Sequence, residues 1–265
     1  MKLKKIGIIL SLFVRGFFGY GSYVLINIIF VFVALIAFVF LLPFKNLKRR
    51  AVSLMLMYFS KAIIFSLNFF QILKTECVGR EFLDKKNTIF VSNHLSLLDA
   101  IVIATYVPNI FVMLKKNYEN FFPVWVLVKC FDFIVIDKSS LESIQIAQEK
   151  CKELLAKNCS ILIFPEGTRS YSGRIQDFKI LAFKIAKEIN ADVQGLALYQ
   201  EGTLLSKRKP QFFPIPKEYF CLSILPKISS SEVKDSEMLA NMSHRKIAKE
   251  LEQIKNKRSH DNFKR

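Results

Sequence analysis

Residues 91–100 read VSNHLSLLDA and set an imidazole, His94, five positions before a lone carboxylate, Asp99, in an apolar stretch. An imidazole bonded to a carboxylate through one nitrogen is held in one tautomer. Its other nitrogen is then a base, and the imidazolium formed on proton uptake is stabilised. No enzyme nucleophile is needed if the substrate brings its own hydroxyl. A spacing of five does not face two side chains together on one continuous helix. Across a strand–turn–helix junction it can. TIFVS (88–92) reads as a strand, and LLDAIVIATYV has helical content. Ser96 is the expected N-cap, which puts Asp99 at the third helical position, pointing back to the turn that carries His94. The same residues also fit a capping box beside an incidental histidine.

A second cluster follows another apolar run, in SILIFPEGTRSYSGR (160–174). Pro165 ends the strand ladder, and Gly167 permits positive φ or close backbone approach. The loop then offers Glu166, Thr168, Arg169 and Ser170. A planar guanidinium beside small hydroxyls and backbone N–H groups suits a phosphate. A surface turn with a solvated Arg169 is the other reading. In α/β sheets ligands gather at the C-terminal ends of strands, where both loops are expected to lie.

The elements that must hold these loops are legible as alternation. TIFVS, IFVML (110–114), FIVI (133–136), SILIF (160–164), LALY (196–199) and YFCLSIL (219–225) are short, apolar and rich in β-branched or aromatic residues. Continuous apolar runs of this kind suit strands buried on both faces. Between them, residues 141–158 set Leu141, Ile144, Cys151, Leu154 and Leu155 on one helical stripe, and residues 178–189 do so with Phe178, Leu181, Ile185 and Ile189. The fold class expected is α/β, a mostly parallel sheet flanked by helices.

The ends differ from this middle. Gly16 to Phe44 contains no charged residue. As a helix it extends about 40 Å, more than a roughly 30 Å hydrocarbon core. Basic residues flank it on both sides: Lys2, Lys4, Lys5 and Arg15 before, Lys45, Lys48, Arg49 and Arg50 after. Basic flanks favour the cytoplasmic side, so the expected arrangement is a bent helix or helix pair embedded from that face, with a full span as the alternative. Ala51 to Leu73 carries Lys61 and Asn68 and reads as an interfacial helix. The chain thus divides into membrane-embedded helices (1–73), an α/β domain (74–240) and a basic C-terminal helix and tail (241–265). In that last part Ile247, Leu251 and Ile254 make a narrow apolar stripe on a mainly solvated helix.

Composition narrows the partners. The chain has 265 residues, 52% hydrophobic, with a net charge of +17. Apolar and basic character together suit an anionic membrane surface more than nucleic acid, and no nucleic-acid-binding motif is present. The five cysteines form no CxxC pair and read as reduced core residues. Three histidines without ligand spacing give no expectation of a metal.

Together NHLSLLD (93–99) and FPEGTRS (164–170) resemble two sequence blocks of the glycerolipid acyltransferase superfamily, NHxxxxD and FPEGTRS, in the form found in bacterial 1-acylglycerol-3-phosphate (lysophosphatidate) acyltransferases. The similarity covers roughly 75–200. It implies transfer of a fatty acyl group from acyl-CoA or acyl carrier protein to the free hydroxyl of a membrane lipid, lysophosphatidate, giving phosphatidate. His94 would be the general base, Asp99 its orienting partner, and Arg169 the ligand of the acceptor's phosphate. Glu166, Gly167 and Thr168 would shape that site. It also implies no cofactor beyond the acyl donor, no acyl-enzyme and no metal. The second block departs from the family pattern: IVIDK carries Lys138 where arginine is usual, and lysine loses the bidentate geometry. The segment ADVQGLALY lacks the usual proline. These departures fall at the acceptor, so another acceptor (a lyso-ornithine lipid, another lysophospholipid or a glycolipid) is the second expectation. A non-enzymatic membrane scaffold of this fold is the third.

Overall fold

The computed structural model describes residues 2–41, 43–83, 88–118, 125, 128, 133–207 and 217–263. Strands are β1 (Leu73–Val78), β2 (Thr88–Ser92), β3 (Ile110–Lys115), β4 (Ile134–Ile136), β5 (Ser160–Ile163), β6 (Asp192–Glu201) and β7 (Glu218–Ile224). Helices are α1 (Lys2–Leu41), α2 (Lys45–Phe69), α3 (Asp99–Tyr106), α4 (Leu141–Ala156), α5 (Leu181–Glu188) and α6 (Ser236–Phe263).

Among the described residues the strands form one sheet in the order β1-β7-β6-β2-β5-β3-β4. Every neighbouring pair is parallel except the antiparallel β6–β7. All residues of β2, β5 and β7 are buried, so helices or loops cover both faces there, as continuous apolar strands require. Register aligns the strand ends. Val91 pairs with Ile163 across β2–β5, and Lys115 with Ile136 across β3–β4. The chain therefore leaves β2, β3, β4 and β5 along one C-terminal rim.

Several expectations shift. β1 was not anticipated; LKTECV sets three polar residues in a row, Lys74, Thr75 and Glu76, and it is a partly exposed edge strand. β6 begins earlier than the LALY run, through Gln194 and Gly195. The buried Gln194 amide donates to the carbonyls of Phe82 and Leu225. A Cβ on Gly195 would come within 3.2 Å of Ile247 and Leu225, so the glycine lets α6 lie close on the strand. α4 is capped by Ser140, whose hydroxyl accepts the Ser143 N–H at 3.1 Å. Its buried face is Ala147, Cys151, Leu154 and Leu155, while Leu141, placed on the stripe from sequence, is 80% exposed at the first turn. α5 starts at Leu181 and not at Phe178; its buried face is Ala182, Phe183, Ile185 and Ala186. The C-terminal helix begins at Ser236, ahead of 241, and is no separate appendage. It packs on β6 and α5 with Leu239, Ala240 and Ile247 buried.

The N-terminal segment is a helix pair. α1 meets α2 through stacked Phe30 and Phe59 rings and a Ser22–Ser66 hydroxyl contact of 2.6 Å. Ile6–Leu41 and Ala51–Phe69 are each long and apolar enough to cross a membrane. They differ in surroundings. α1 leaves large side chains such as Phe17, Ile28, Phe32 and Phe40 exposed along its length. α2 is not simply interfacial: it buries Ile63, Ile64 and Leu67 in the main core and packs on α3 and β1. Cys77 is half-buried, and Cys151, Cys159 and Cys221 are buried free thiols; Cys130 lies outside the described residues.

Candidate active site

His94 sits just past β2, on the rim. Its Nδ1 lies 2.7 Å from Asp99 Oδ2. The Asp99 side chain is fully buried, whereas that of His94 is 21% exposed. Asp99 Oδ2 also accepts the N–H groups of Leu95 (2.6 Å) and Ser96 (2.9 Å), and Oδ1 accepts the Ser96 hydroxyl at 3.0 Å. With the carboxylate accepting from all these donors, Nδ1 carries the proton toward it and Nε2 keeps its lone pair. The helix starts later than the sequence implied: Asp99 is the first residue of α3, not the third, because residues 96–98 form a turn. The capping logic survives, since the Ser96 hydroxyl accepts the Leu98 N–H at 3.1 Å while Asp99 reaches back to Ser96 N–H. One carboxylate thus completes the turn and orients the imidazole.

The second loop is fastened to the first at His94 itself. The His94 N–H donates to Glu166 Oε1 at 3.1 Å, and the His94 carbonyl accepts the Ser170 N–H at 2.8 Å. Phe164 stacks on the imidazole with ring centroids 4.0 Å apart and planes at 18°. Asn93 locks the other side, because its side-chain amide donates to the Leu198 carbonyl and accepts the Leu198 N–H, both at 2.8 Å. The backbone around His94 is held by the loop that follows β5 on one side and by β6 on the other.

Glu166 is buried and braces from behind; it is not part of the cavity wall. Its second oxygen accepts from the Gln176 amide at 3.0 Å. Burial, opposed by hydrogen bonds from His94 and Gln176, pushes its carboxyl up to about 7. Gly167 adopts φ +69° and its N–H donates to the Phe164 carbonyl at 2.9 Å. A Cβ there would stand 3.1 Å from Lys138 Nζ, so a side chain would displace the lysine.

In front of His94 opens a cavity of about 300 Å³. Val112, Leu114, Phe133, Ile136, Ile163 and Leu181 give it an apolar wall. Among the described residues five cations line it, Lys115, Lys138, Arg169, Lys179 and Lys207, and no carboxylate does. Sequence reasoning had singled out only Lys138 and Arg169. Lys115 follows from the strand register; Lys179 comes from the loop whose N–H reaches the Pro165 carbonyl. Lys207 lies far along the chain, in no motif. Crowding acts on the charges: burial and then Lys179 lower Lys138 from the ordinary lysine value, and burial, Lys179 and Lys207 do the same to Lys115. Arg169 Nη1 donates to the Leu205 carbonyl at 3.2 Å, and Lys207 Nζ to Thr168 Oγ1 at 2.8 Å. An anion would find several donors here.

A parallel-rich sheet thus carries a histidine–carboxylate pair beside an apolar, cation-rimmed cavity, and residues 74–199 match the acyltransferase family model. The relatives of this chain are more particular. A 1-acyl-sn-glycerol-3-phosphate acyltransferase of Limnanthes douglasii is 32% identical over 152 residues, 56% of this chain and 52% of that protein. One from Borreliella burgdorferi is 28% identical over 137 residues, 51% of this chain and 55% of that protein. The chain spans about half the length of the curated relatives it matches. The solved 1-acyl-sn-glycerophosphate (LPA) acyltransferase PlsC of Thermotoga maritima shares the fold, with a TM-score of 0.73, 21% identity and coverage of 92% of this chain and 95% of that one.

Proposed function

We propose that this protein is a membrane-bound lysophospholipid acyltransferase that moves a fatty acyl group from an acyl thioester to the free hydroxyl of 1-acylglycerol-3-phosphate. The observation that carries the reading is the 2.7 Å His94–Asp99 contact at the mouth of a cavity lined by five cations. His94 Nε2 takes the proton of the acceptor hydroxyl as its oxygen attacks the thioester carbonyl, and Asp99 stabilises the imidazolium. The proton is then available to the departing thiolate of CoA or of acyl carrier protein. Arg169 and the lysines hold the acceptor's phosphate, and the apolar wall takes acyl chain. The reaction uses no enzyme nucleophile and no metal. The exposed apolar length of α1 supports membrane association, and the basic residues on both sides of the charge-free segment support the cytoplasmic face.

Lys138 in place of the usual arginine favours a second reading, the same chemistry on a different lyso-lipid. Thiol release from the purified chain in detergent, with acyl-CoA and acyl carrier protein tested against a panel of lyso-lipids, decides. Fastest turnover with 1-acylglycerol-3-phosphate is expected. Faster turnover of another lyso-lipid selects the second reading, and no release with any pair overturns both.

A further inference from the structure

We propose that Lys207 binds the acceptor's anionic headgroup, and that Glu218 is the positioning residue that presents it, through the segment Thr203–Lys207. This inference rests on the acyl-transfer reading above and names the residues that complete its acceptor site.

Lys207 stands on the β6–β7 connection, outside both sequence blocks, yet its ammonium reaches the site. It donates to Thr168 and lies 4.7 Å from the ring centroid of Tyr171. Both contacts place it over the FPEGTRS loop, with Lys115 near enough to feel its charge as well as that of Lys179. A fourth lysine added to such a cluster is repelled unless an anion occupies the centre.

The segment is held with unusual care for a connection. Glu218 is buried at the start of β7, and its Oε1 accepts the N–H groups of Thr203 (2.7 Å) and Leu204 (2.9 Å). Its Oε2 accepts from Leu204 N–H and from the Gln200 amide, each at 3.0 Å. Gly202, at φ +119°, brings the backbone so close that a Cβ would collide with the Glu218 carboxylate. Leu205 follows in the left-handed region at φ 53°, which residues with a Cβ disfavour. That conformation aims its carbonyl at two targets, the Leu97 N–H at 3.1 Å and Arg169 Nη1 at 3.2 Å. Ser206 bridges to Ser96. One carboxylate therefore fixes a segment that touches the turn of Asp99, aims Arg169 and delivers Lys207.

The test uses the full chain in detergent, with acceptor titrated at saturating acyl thioester. Lys207→Met should raise the acceptor KM about tenfold, with kcat changed less than about threefold and donor KM unmoved, the pattern of a lost binding contact. Lys207→Arg should restore most of the affinity. Glu218→Ala should show the same split, and Glu218→Gln, whose amide oxygen still accepts the Thr203 and Leu204 N–H groups, should lie between. An unchanged acceptor KM in Lys207→Met, or a loss confined to kcat, overturns the proposal. Calorimetric binding of inorganic phosphate by the same variants gives a readout that needs no turnover. If the wild type transfers no acyl group, the acyl-transfer reading fails by itself. The anion site then stands on about tenfold weaker phosphate binding by Lys207→Met, and falls if binding is equal.

Discussion

Around His94, the backbone N–H, the carbonyl and Nδ1 each have a partner, and these partners separate chemistry from support. Asp99→Asn keeps the size of the side chain but removes the charge that stabilises an imidazolium. Its activity should fall at least about a hundredfold with little change in acceptor KM, as initial-rate kinetics would register. Glu166 supports the same histidine and carries a pH signature. Its carboxyl, ordinarily near 4.5, is pushed up to about 7 in the folded protein. A raised carboxyl costs stability once the unfolded chain has released the proton that the folded state still holds. The cost is absent below about pH 4.5, grows between the two values and is complete above about 7. Glu166→Gln should therefore unfold at higher urea than the wild type at pH 8, with the gap closing toward pH 4.5. A gap independent of pH would contradict this. The sequence made the dyad legible because both partners lie within ten residues. Glu166 was visible as a site residue, but its position behind the histidine was not, since only the fold decides which way a loop carboxyl turns. Lys115, Lys179 and Lys207 were invisible among 39 lysines and arginines.

Strands β2, β5 and β6 turn two separated motifs into one site. The β2–β5 register puts Ser92 and Phe164 at adjacent strand ends, and Asn93 ties the β2 exit to β6. Asn93→Ala would leave the buried Leu198 N–H and carbonyl unpaired. A loss of about 2–4 kcal/mol is expected in urea unfolding, far more than a surface substitution gives. Strands built from continuous apolar runs were legible for that reason: burial on both faces leaves no polar alternation to mislead. β1 and the first half of β6 were missed because their side chains serve local needs. β1 is an exposed edge, and Gln194 and Gly195 look like loop residues until Phe82, Leu225 and Ile247 are seen against them. The α6 stripe was legible, but its burial was not; periodicity marks a face and does not say what covers it.

At the scale of the whole molecule, a cation-lined rim is joined to a greasy helix pair. α2 belongs to the core on one side and packs against α1 on the other, which joins α1 to the domain. The exposed aromatic and aliphatic surface of α1 is unsuited to water and suited to acyl chains. The full chain should float with anionic vesicles. Ile28→Lys with Phe32→Lys, both on exposed positions of α1, should cut the bound fraction at least about tenfold while leaving the urea midpoint unchanged. Equal flotation of the double variant would contradict an embedded α1. The length of the charge-free segment made the helix legible; its pairing with α2 depends on contacts such as Phe30–Phe59 that no hydropathy pattern encodes.

The most direct measurement is the initial rate of acyl transfer to 1-acylglycerol-3-phosphate by the purified chain and by its His94→Ala variant, at saturating donor and acceptor. A drop of at least about a hundredfold in the variant is predicted. Equal rates would contradict a mechanism in which this imidazole accepts the hydroxyl proton.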